Sequence, residues 1–286
     1  MNNLMGLNAF ITGGGSGIGL ACAISFVKQG ANVLIMGRNE KKLRLAVETL
    51  NQHKIEDAVI DYFAGDVSKE NDVEAATKKA SLMSSQAGSQ ATAAEARLDI
   101  AVANAGIGGL SPIMATKSED WDRVMQTNLG GTFYTFKHAG IAMARSGGGA
   151  ICAISSIAGV RTHRYMGSYC VSKAGIDMLV RNTADELGQN NIRVNSVCPG
   201  LVDTEIASGL MTTQEVHADY LDCMPIARTG VVEDISNAVS FLCSPQSSWI
   251  TGVSLSVDGG HHLRRGPNVE PFSRMLFGDA ITEGKV

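Results

Sequence analysis

The sequence predicts a doubly wound α/β fold with a sheet of seven parallel strands in a single domain. Short apolar runs alternate with segments of helical apolar spacing along most of the chain. Many of the predicted strands are continuously apolar, as expected of parallel strands that helices cover on both faces. At the start of the chain an apolar strand, a glycine-rich turn and a helix follow one another directly. This order is typical of dinucleotide-binding folds of the Rossmann type.

The individual elements follow from these patterns. Strands are predicted at 8–12, 32–36, 58–63, 98–103, 149–155, 192–198 and 253–257. Helices are predicted at 17–29, 40–52, 69–87, 118–145, 167–188 and 232–243. The connections between parallel strands are expected to be right-handed. The small, polar stretch from Ser81 to Ala96 is interpreted as a lengthened, exposed connection without a chemical role.

Composition favours a soluble enzyme. The chain has 286 residues, of which 44% are hydrophobic and 18% charged, so it can bury a substantial core. A net charge of −4 gives no reason to expect nucleic-acid binding, and no apolar run is long enough to span a membrane. The N-terminus lacks the pattern of a signal peptide. Six scattered cysteines predict buried thiols in a reducing cytoplasm, with neither disulfides nor a metal site.

The turn at residues 13–19 reads GGGSGIG and lies between the first strand and the first helix. Glycines allow backbone amides to approach a pyrophosphate, and a helix N-terminus favours its negative charge. A merely flexible turn is the alternative, but the position between strand and helix favours a dinucleotide site.

Tyr169 and Lys173 are four residues apart in a predicted helix, so their side chains share one face. A free tyrosine has a pKa of about 10 and exchanges protons poorly near neutral pH. A close cation stabilises the phenolate and lowers that pKa, and a cationic ring nearby would lower it further. The pair therefore suggests a proton donor, although a half-buried ring beside a surface lysine has the same spacing.

Several further motifs occur in a characteristic order. They are Thr12-Gly13 with Gly17 and Gly19, Asp66-Val67, Asn104-Ala105-Gly106, Asn128, Ser156 thirteen residues before Tyr169, Pro199-Gly200 with Thr204, and Val257-Asp258-Gly259-Gly260. In this order the chain resembles the short-chain dehydrogenase/reductase family over about residues 5–260. One departure is Ala103, which replaces an asparagine often found before Asn104.

The resemblance implies the strand order 3-2-1-4-5-6-7 and an NAD(P)-dependent hydride transfer between nicotinamide and a carbonyl or secondary alcohol. Tyr169 would be the acid and base, Ser156 would polarise the substrate oxygen, Lys173 would assist Tyr169 and bind the ribose, and Asn128 would hold a relay water. Ser156 as a strand-end cap and Asn128 as a helix kink are the alternatives. The expected cofactor contacts are Thr12, Gly13, Gly15, Ser16, Gly17, Ile18, Gly19, Arg38, Asp66, Val67, Asn104, Ala105, Gly106, Tyr169, Lys173, Pro199, Gly200, Val202 and Thr204.

The choice between NADP and NAD depends on the end of the second strand. An acidic residue there binds the free ribose hydroxyl of NAD, but this chain has Gly37 followed by Arg38. Because a guanidinium can bind a phosphate, we predict NADP, with NAD as the alternative. Arg38 could instead be a solvated residue or could stack on the adenine.

Two regions are expected to shape the substrate site. The loop 158–168 contains Arg161, His163 and Arg164, which could bind an anionic group or could form a solvated loop or subunit contact. Residues 203–229 resemble the lid of the family. Their apolar side chains suggest a bulky hydrophobic substrate, and ordinary packing of helix faces is the alternative. The side chains expected to contact it are Ser156, Ala158, Met166, Leu201 and Met211.

Residues 1–260 are assigned to the dehydrogenase domain and 261–286 to a C-terminal extension. The extension is predicted to cover the substrate cleft or a neighbouring subunit, with a disordered tail as the alternative. By resemblance we expect a homotetramer or dimer formed through the helices at 118–145 and 167–188. Besides a ketone reductase or alcohol dehydrogenase, two functions stay open. They are a 3-oxoacyl-thioester reductase of the same family and a catalytically silent dinucleotide sensor.

Overall fold

A sheet of seven parallel strands organises the computed structural model, which describes residues 4–55, 57–83 and 96–285. The strands are β1 (Asn8–Thr12), β2 (Asn32–Gly37), β3 (Ile60–Ala64), β4 (Ile100–Ala103), β5 (Gly149–Ile154), β6 (Ile192–Pro199) and β7 (Ser254–Val257). Their spatial order is β3-β2-β1-β4-β5-β6-β7. The predicted doubly wound fold and strand order are confirmed, and each observed strand overlaps its predicted range.

Ten α-helices connect or flank the strands among the described residues. They are α1 (Gly17–Val27), α2 (Glu40–His53), α3 (Glu70–Ser81), α4 (Ser118–Met125), α5 (Gly131–Ser146), α6 (Gly167–Leu187), α7 (Ser208–Thr212), α8 (Gln214–Cys223), α9 (Val232–Cys243) and α10 (Glu270–Thr282). The single helix predicted at 118–145 is α4 and α5 joined by a π-helical turn at Gln126–Gly130. The predicted connection from Ser81 to Ala96 falls mostly outside the described residues.

The apolar core lies on both faces of the sheet. Phe26 and Leu50 belong to the cluster on one face, and Phe136 and Val180 belong to the cluster on the other. All four side chains are at most 2% exposed. Burial on both faces explains why β1 and β2 are continuously apolar in sequence. Within the described residues, no helix has the length and apolarity needed to cross a membrane.

The C-terminal segment after residue 260 packs against the lid and the loop before α6. Arg265 donates two hydrogen bonds to the Asp219 carboxylate (2.6 and 2.8 Å), and Arg164 pairs with Glu270 (2.5 Å). Val269 is fully buried in a third apolar cluster together with Leu201 and with Val216, Tyr220 and Met224 of the segment 203–229. The segment therefore lies over the substrate side of its own chain, and its helix α10 was not among the predicted elements.

The close approach of this segment to residue 162 provides a test. A Cβ atom on Gly266 would overlap the carbonyl oxygen of Thr162. We expect Gly266→Ala to lower the free energy of unfolding by about 1–3 kcal/mol and to speed removal of the segment in limited proteolysis. Gly188→Ala is the matched control, because a Cβ there would meet open space at a φ of −55°. Cleavage of Gly266→Ala at the wild-type rate would show that the segment does not dock in this way.

Candidate active site

A cavity of about 520 Å³ lies at the carboxyl ends of the strands. Its lining comes from the loops that follow β1, β2, β3, β4, β5 and β6, and from α6 and α10. β1 pairs with β2 on one side and with β4 on the other, so the chain reverses its winding direction beside the glycine-rich turn. In open α/β sheets, ligands bind at this point of reversal.

The glycine-rich turn is shaped to admit a phosphate group. Gly13 has a φ of +66°, and a Cβ atom there would lie 2.7 Å from the amide nitrogen of the Asn104 side chain. Gly17 and Ile18 begin α1 and line the cavity. Their backbone amides have no hydrogen-bond partner among the described residues, as is usual for the first turn of a helix. The turn thus fits the pyrophosphate of a dinucleotide.

The opposite wall of this half of the cavity holds Arg38 and Asp66. Arg38 is exposed and lines the cavity after β2, while Asp66 lines it after β3. Burial alone would raise the pKa of Asp66, but two hydrogen bonds from Ser68 and the charge of Arg38 lower it. Asp66 is therefore an anion with a guanidinium close by, at the place where the adenosine half of the dinucleotide is expected.

Most residues predicted to contact the cofactor surround this cavity. Those that line it are Gly13, Ser16, Gly17, Ile18, Arg38, Asp66, Val67, Asn104, Ala105, Gly106, Tyr169, Lys173, Pro199, Gly200, Val202 and Thr204. Thr12, Gly15 and Gly19 lie outside the lining. The Thr12 hydroxyl instead accepts hydrogen bonds from the Asn104 and Ala105 amides (3.0 and 3.1 Å), which holds the end of β4 against β1.

Tyr169 and Lys173 lie on the cavity side of α6, with the Lys173 ammonium 5.6 Å from the centre of the Tyr169 ring. Lys173 is 4% exposed and donates a hydrogen bond to the carbonyl oxygen of Ile154 at the end of β5 (2.7 Å). Burial lowers the pKa of Lys173 to about 8, although the carboxylate of Asp177 acts in the other direction.

The pKa of Tyr169 differs from the sequence-based expectation. Burial raises this pKa above its ordinary value, and a hydrogen bond with Ser156 offsets the rise only in part. The expected lowering by Lys173 is therefore not produced by the protein groups alone. The reason is desolvation, which disfavours the phenolate more strongly than its neighbours favour it.

Asn128 and Ser156, the other two predicted catalytic residues, do not line the cavity. Asn128 is fully buried in the π-helical turn, where its side chain accepts a hydrogen bond from the Ile107 amide (2.8 Å) and donates one to the Ile107 carbonyl (3.0 Å). The Ser156 hydroxyl accepts a hydrogen bond from the Ala158 amide (3.1 Å). Its one proton is the one that lowers the pKa of Tyr169, so the Ser156 hydroxyl can donate toward the place where the substrate oxygen would meet Tyr169.

The substrate end of the cavity is apolar and only partly follows the predictions. Met166 and Leu201 line it as expected. Ala158 is instead buried in a 3₁₀ turn, and Met211 packs against the third apolar cluster. Other residues in the lining are Leu110, His163, Leu210, Tyr220 and Phe272. Phe272 comes from α10, so only the docking of the C-terminal segment reveals its place in the site.

The basic residues of the loop before α6 do not face the substrate as free cations. Arg161 donates two hydrogen bonds to the carbonyl oxygen of His262 (2.6 and 2.8 Å), and Arg164 pairs with Glu270. Burial lowers the pKa of His163 from its ordinary 6.5 to about 4, so its ring is neutral at physiological pH. The loop therefore binds the C-terminal segment.

The strand-end cavity, the glycine-rich turn and the paired phenol and ammonium define a nicotinamide-dependent oxidoreductase. Comparison with known proteins agrees. The sequence model described as enoyl-(acyl carrier protein) reductase matches residues 13–262. This match spans most of the chain, which belongs to the short-chain dehydrogenase/reductase family. It is an NAD(P)-dependent enzyme that acts on carbonyl or CH–OH groups.

Three relatives illustrate the range of the family. A 3-oxoacyl-[acyl-carrier-protein] reductase from Chlamydia muridarum is 36% identical over 91% of this chain and 99% of its own length. The 7alpha-hydroxysteroid dehydrogenase of Escherichia coli is 35% identical, covering 90% and 94% of the two chains. The solved structure of a short-chain type dehydrogenase/reductase from Mycobacterium ulcerans superimposes with a TM-score of 0.91, at 38% identity and with coverage of 99% and 100%.

The low pKa of His163 predicts how stability changes with pH. The folded pKa of about 4 lies below the ordinary 6.5, so the unfolded chain binds more protons between these values and stability falls on acidification. Between about pH 7.5 and about pH 5 we expect the free energy of unfolding of wild type to fall by about 2 kcal/mol more than that of His163→Phe. Urea unfolding of both proteins at the two pH values measures this difference. Equal losses would show that His163 is not buried as a neutral ring.

Proposed function

We propose that Tyr169 is the acid and base of a hydride transfer between a dinucleotide and a bulky, uncharged ketone or secondary alcohol. The observation that supports this most directly is that Tyr169 and Lys173 line the same cavity as the glycine-rich turn. When bound, the dinucleotide supplies or accepts the hydride. Tyr169 would give its proton to the carbonyl oxygen in reduction and would take it back in oxidation.

The neighbouring residues support Tyr169 in different ways. Ser156 would turn its hydroxyl proton from Tyr169 to the same substrate oxygen and stabilise the charge that develops there. Lys173 would favour the phenolate and bind the ribose. Asn128 is held by the backbone of Ile107, and a Cβ on Gly106 would lie 3.2 Å from its side-chain oxygen and 3.8 Å from the Lys173 ammonium. This proximity favours a role for Asn128 in relaying protons from Lys173 through a water.

Removal of the phenol tests the assignment of Tyr169. We expect Tyr169→Phe to lower kcat by about a hundredfold to ten-thousandfold, because general acid–base catalysis contributes that much. Dinucleotide affinity, measured by fluorescence titration, should stay close to wild type. Tyr134→Phe is the matched control, because its hydroxyl bonds to Gln126 and lies outside the cavity lining. A near wild-type kcat for Tyr169→Phe would contradict the proposal.

We further propose NADP as the preferred cofactor. Arg38 lines the cavity after β2, where a carboxylate would bind NAD. Lys42 lies on α2 beside the turn, with its Cβ 3.7 Å from the position a Cβ on Gly15 would take, and pairs with Glu205 (2.7 Å). Two cations near this end of the cavity favour a phosphate on the ribose. NAD is the alternative, since a solved 7alpha-hydroxysteroid dehydrogenase relative contains NADH.

Reversing the charge at Arg38 tests the cofactor preference. We expect Arg38→Asp to lower the ratio of kcat/KM for NADPH over NADH by about tenfold to a hundredfold, because a charge-assisted bond to the phosphate is lost. The control is Lys41→Asp, an equal change of charge on α2 outside the cavity lining. An unchanged ratio in Arg38→Asp would remove this residue from cofactor selection.

A second candidate is a 3-oxoacyl-thioester reductase, which the Chlamydia relative favours. The uncharged substrate is preferred because the basic side chains of the loop, Arg161 and Arg164, bind the C-terminal segment. The steroid dehydrogenase relatives, one solved with 7-oxo glycochenodeoxycholic acid, provide examples of bulky ligands in this fold.

We also propose a homo-oligomer, either a tetramer or a dimer, located in the cytoplasm. Phe133 and Ile141 on α5, and Val171 and Met178 on α6, are each more than 40% exposed. Exposed apolar side chains on neighbouring helices favour a subunit contact. All six cysteines are free thiols, which supports a reducing compartment.

A further inference from the structure

Three aromatic rings meet at the substrate end of the cavity. The ring centres of His163, Tyr220 and His261 lie 5.8 to 6.1 Å from one another, and each residue is at most 5% exposed. They come from the loop before α6, the lid helix α8 and the C-terminal segment. His163 and Tyr220 line the cavity, and His261 packs against both rings.

The hydrogen bonding of His163 fixes which of its nitrogens can accept. Nδ1 lies 3.1 Å from the carbonyl oxygen of Arg161. Because a carbonyl only accepts, a neutral ring must have its proton on Nδ1, which leaves Nε2 as an acceptor. Nε2 has no hydrogen-bond partner among the described residues.

Tyr220 supplies the complementary group. Its hydroxyl also has no hydrogen-bond partner among the residues that the structure describes. Burial raises the pKa of Tyr220, and the nearby Tyr169 raises it further, so the group is a neutral hydroxyl that can donate. His163 and Tyr220 both line the cavity, so a ligand or water in the cavity can satisfy these two polar groups. His261 adds two more buried nitrogens without partners.

Among the described residues, the side chains that line this part of the cavity have no formal charge. The side chains that line the cavity with a formal charge are Arg38, Asp66, Lys173 and Glu205, and none of them belongs to this aromatic cluster. The other neighbours are apolar and include Met166, Leu210 and Phe272. A carboxylate or phosphate would have no cation to pair with here, whereas an uncharged group would have both a donor and an acceptor.

We propose that His163 and Tyr220 form a binding subsite for a second hydroxyl group of the substrate, distinct from the oxygen that exchanges a proton with Tyr169. One hydroxyl that donates to His163 Nε2 and accepts from the Tyr220 hydroxyl would satisfy both groups at once. A carbonyl could accept from Tyr220 but could not donate to His163. This inference rests on the proposed function and narrows its substrate to a bulky apolar ketone or alcohol that bears a second hydroxyl.

Matched ketones test the subsite. The probes are cyclohexanones that carry, opposite the carbonyl, hydroxyalkyl chains of increasing length, each paired with the alkyl chain and the carboxyalkyl chain of equal length. For the hydroxyalkyl chain that fits best, we expect wild type to show a kcat/KM about tenfold above that of its alkyl partner, as one buried hydrogen-bonding group contributes. The carboxyalkyl ketone should be the poorest of the three.

The variants separate a hydrogen bond from a change of shape. His163→Phe and Tyr220→Phe should each bring the hydroxyalkyl-to-alkyl ratio of kcat/KM close to one, because the hydroxyl loses one of its two hydrogen-bonding partners. His163→Gln, which retains an acceptor, should recover part of the preference. Tyr134→Phe, which removes a hydroxyl outside the cavity lining, should leave the ratio at its wild-type value.

A binding measurement distinguishes failure of the subsite from failure of the catalytic assignment. Calorimetric titration of the ketones into Tyr169→Phe with NADPH reports the same preference as a ratio of Kd values without turnover. A Kd ratio near one in this protein, or a ratio unchanged by adding His163→Phe, would overturn the subsite. A preserved Kd ratio with no turnover of any ketone by wild type would support the subsite and contradict the proposed reaction.

Discussion

The site depends on one contact, the hydrogen bond that the buried ammonium of Lys173 makes with the end of β5. This hydrogen bond to the Ile154 carbonyl ties α6 to the end of β5, and the Asp177 carboxylate one turn further along offsets part of the cost of burying the charge. A buried lysine that lost these partners would be uncompensated and expensive. The same hydrogen bond fixes the position of Tyr169, which lies one helical turn away on α6. The phenol, the end of β5 and the glycine-rich turn therefore line one cavity.

The substrate end depends on a different set of contacts, which the C-terminal segment provides. The family match ends at residue 262, and Phe272 lies beyond it. Arg161 and Arg164 form a basic cluster in the sequence, but in the structure they bind this segment and so help to hold the apolar Phe272 at the cavity. Part of the wall at the substrate end, Phe272, therefore comes from a stretch of sequence beyond the family match.

The sequence predicts the sheet well because buried parallel strands and glycine turns are local signals. The ends of β1 and β6 fall within one residue of their predicted positions. It cannot predict the neutral state of His163, which depends on burial by α8 and the C-terminal segment, nor the π-helical turn that places Asn128 behind Gly106. The inward position of Phe272 likewise follows only from how α10 docks. Each of these features arises from tertiary contacts between residues far apart in sequence.

The raised pKa of Tyr169 links proton transfer to cofactor binding in the proposed mechanism. Burial favours the neutral phenol, which is the form needed to protonate a carbonyl oxygen in reduction. Oxidation instead needs the phenolate, and its formation would require a positive charge beyond that of Lys173. The oxidised dinucleotide has that charge on its nicotinamide ring, whereas the reduced form does not. The same phenol can thus serve both directions, because the charge that shifts its pKa arrives only with the cofactor that the oxidation uses.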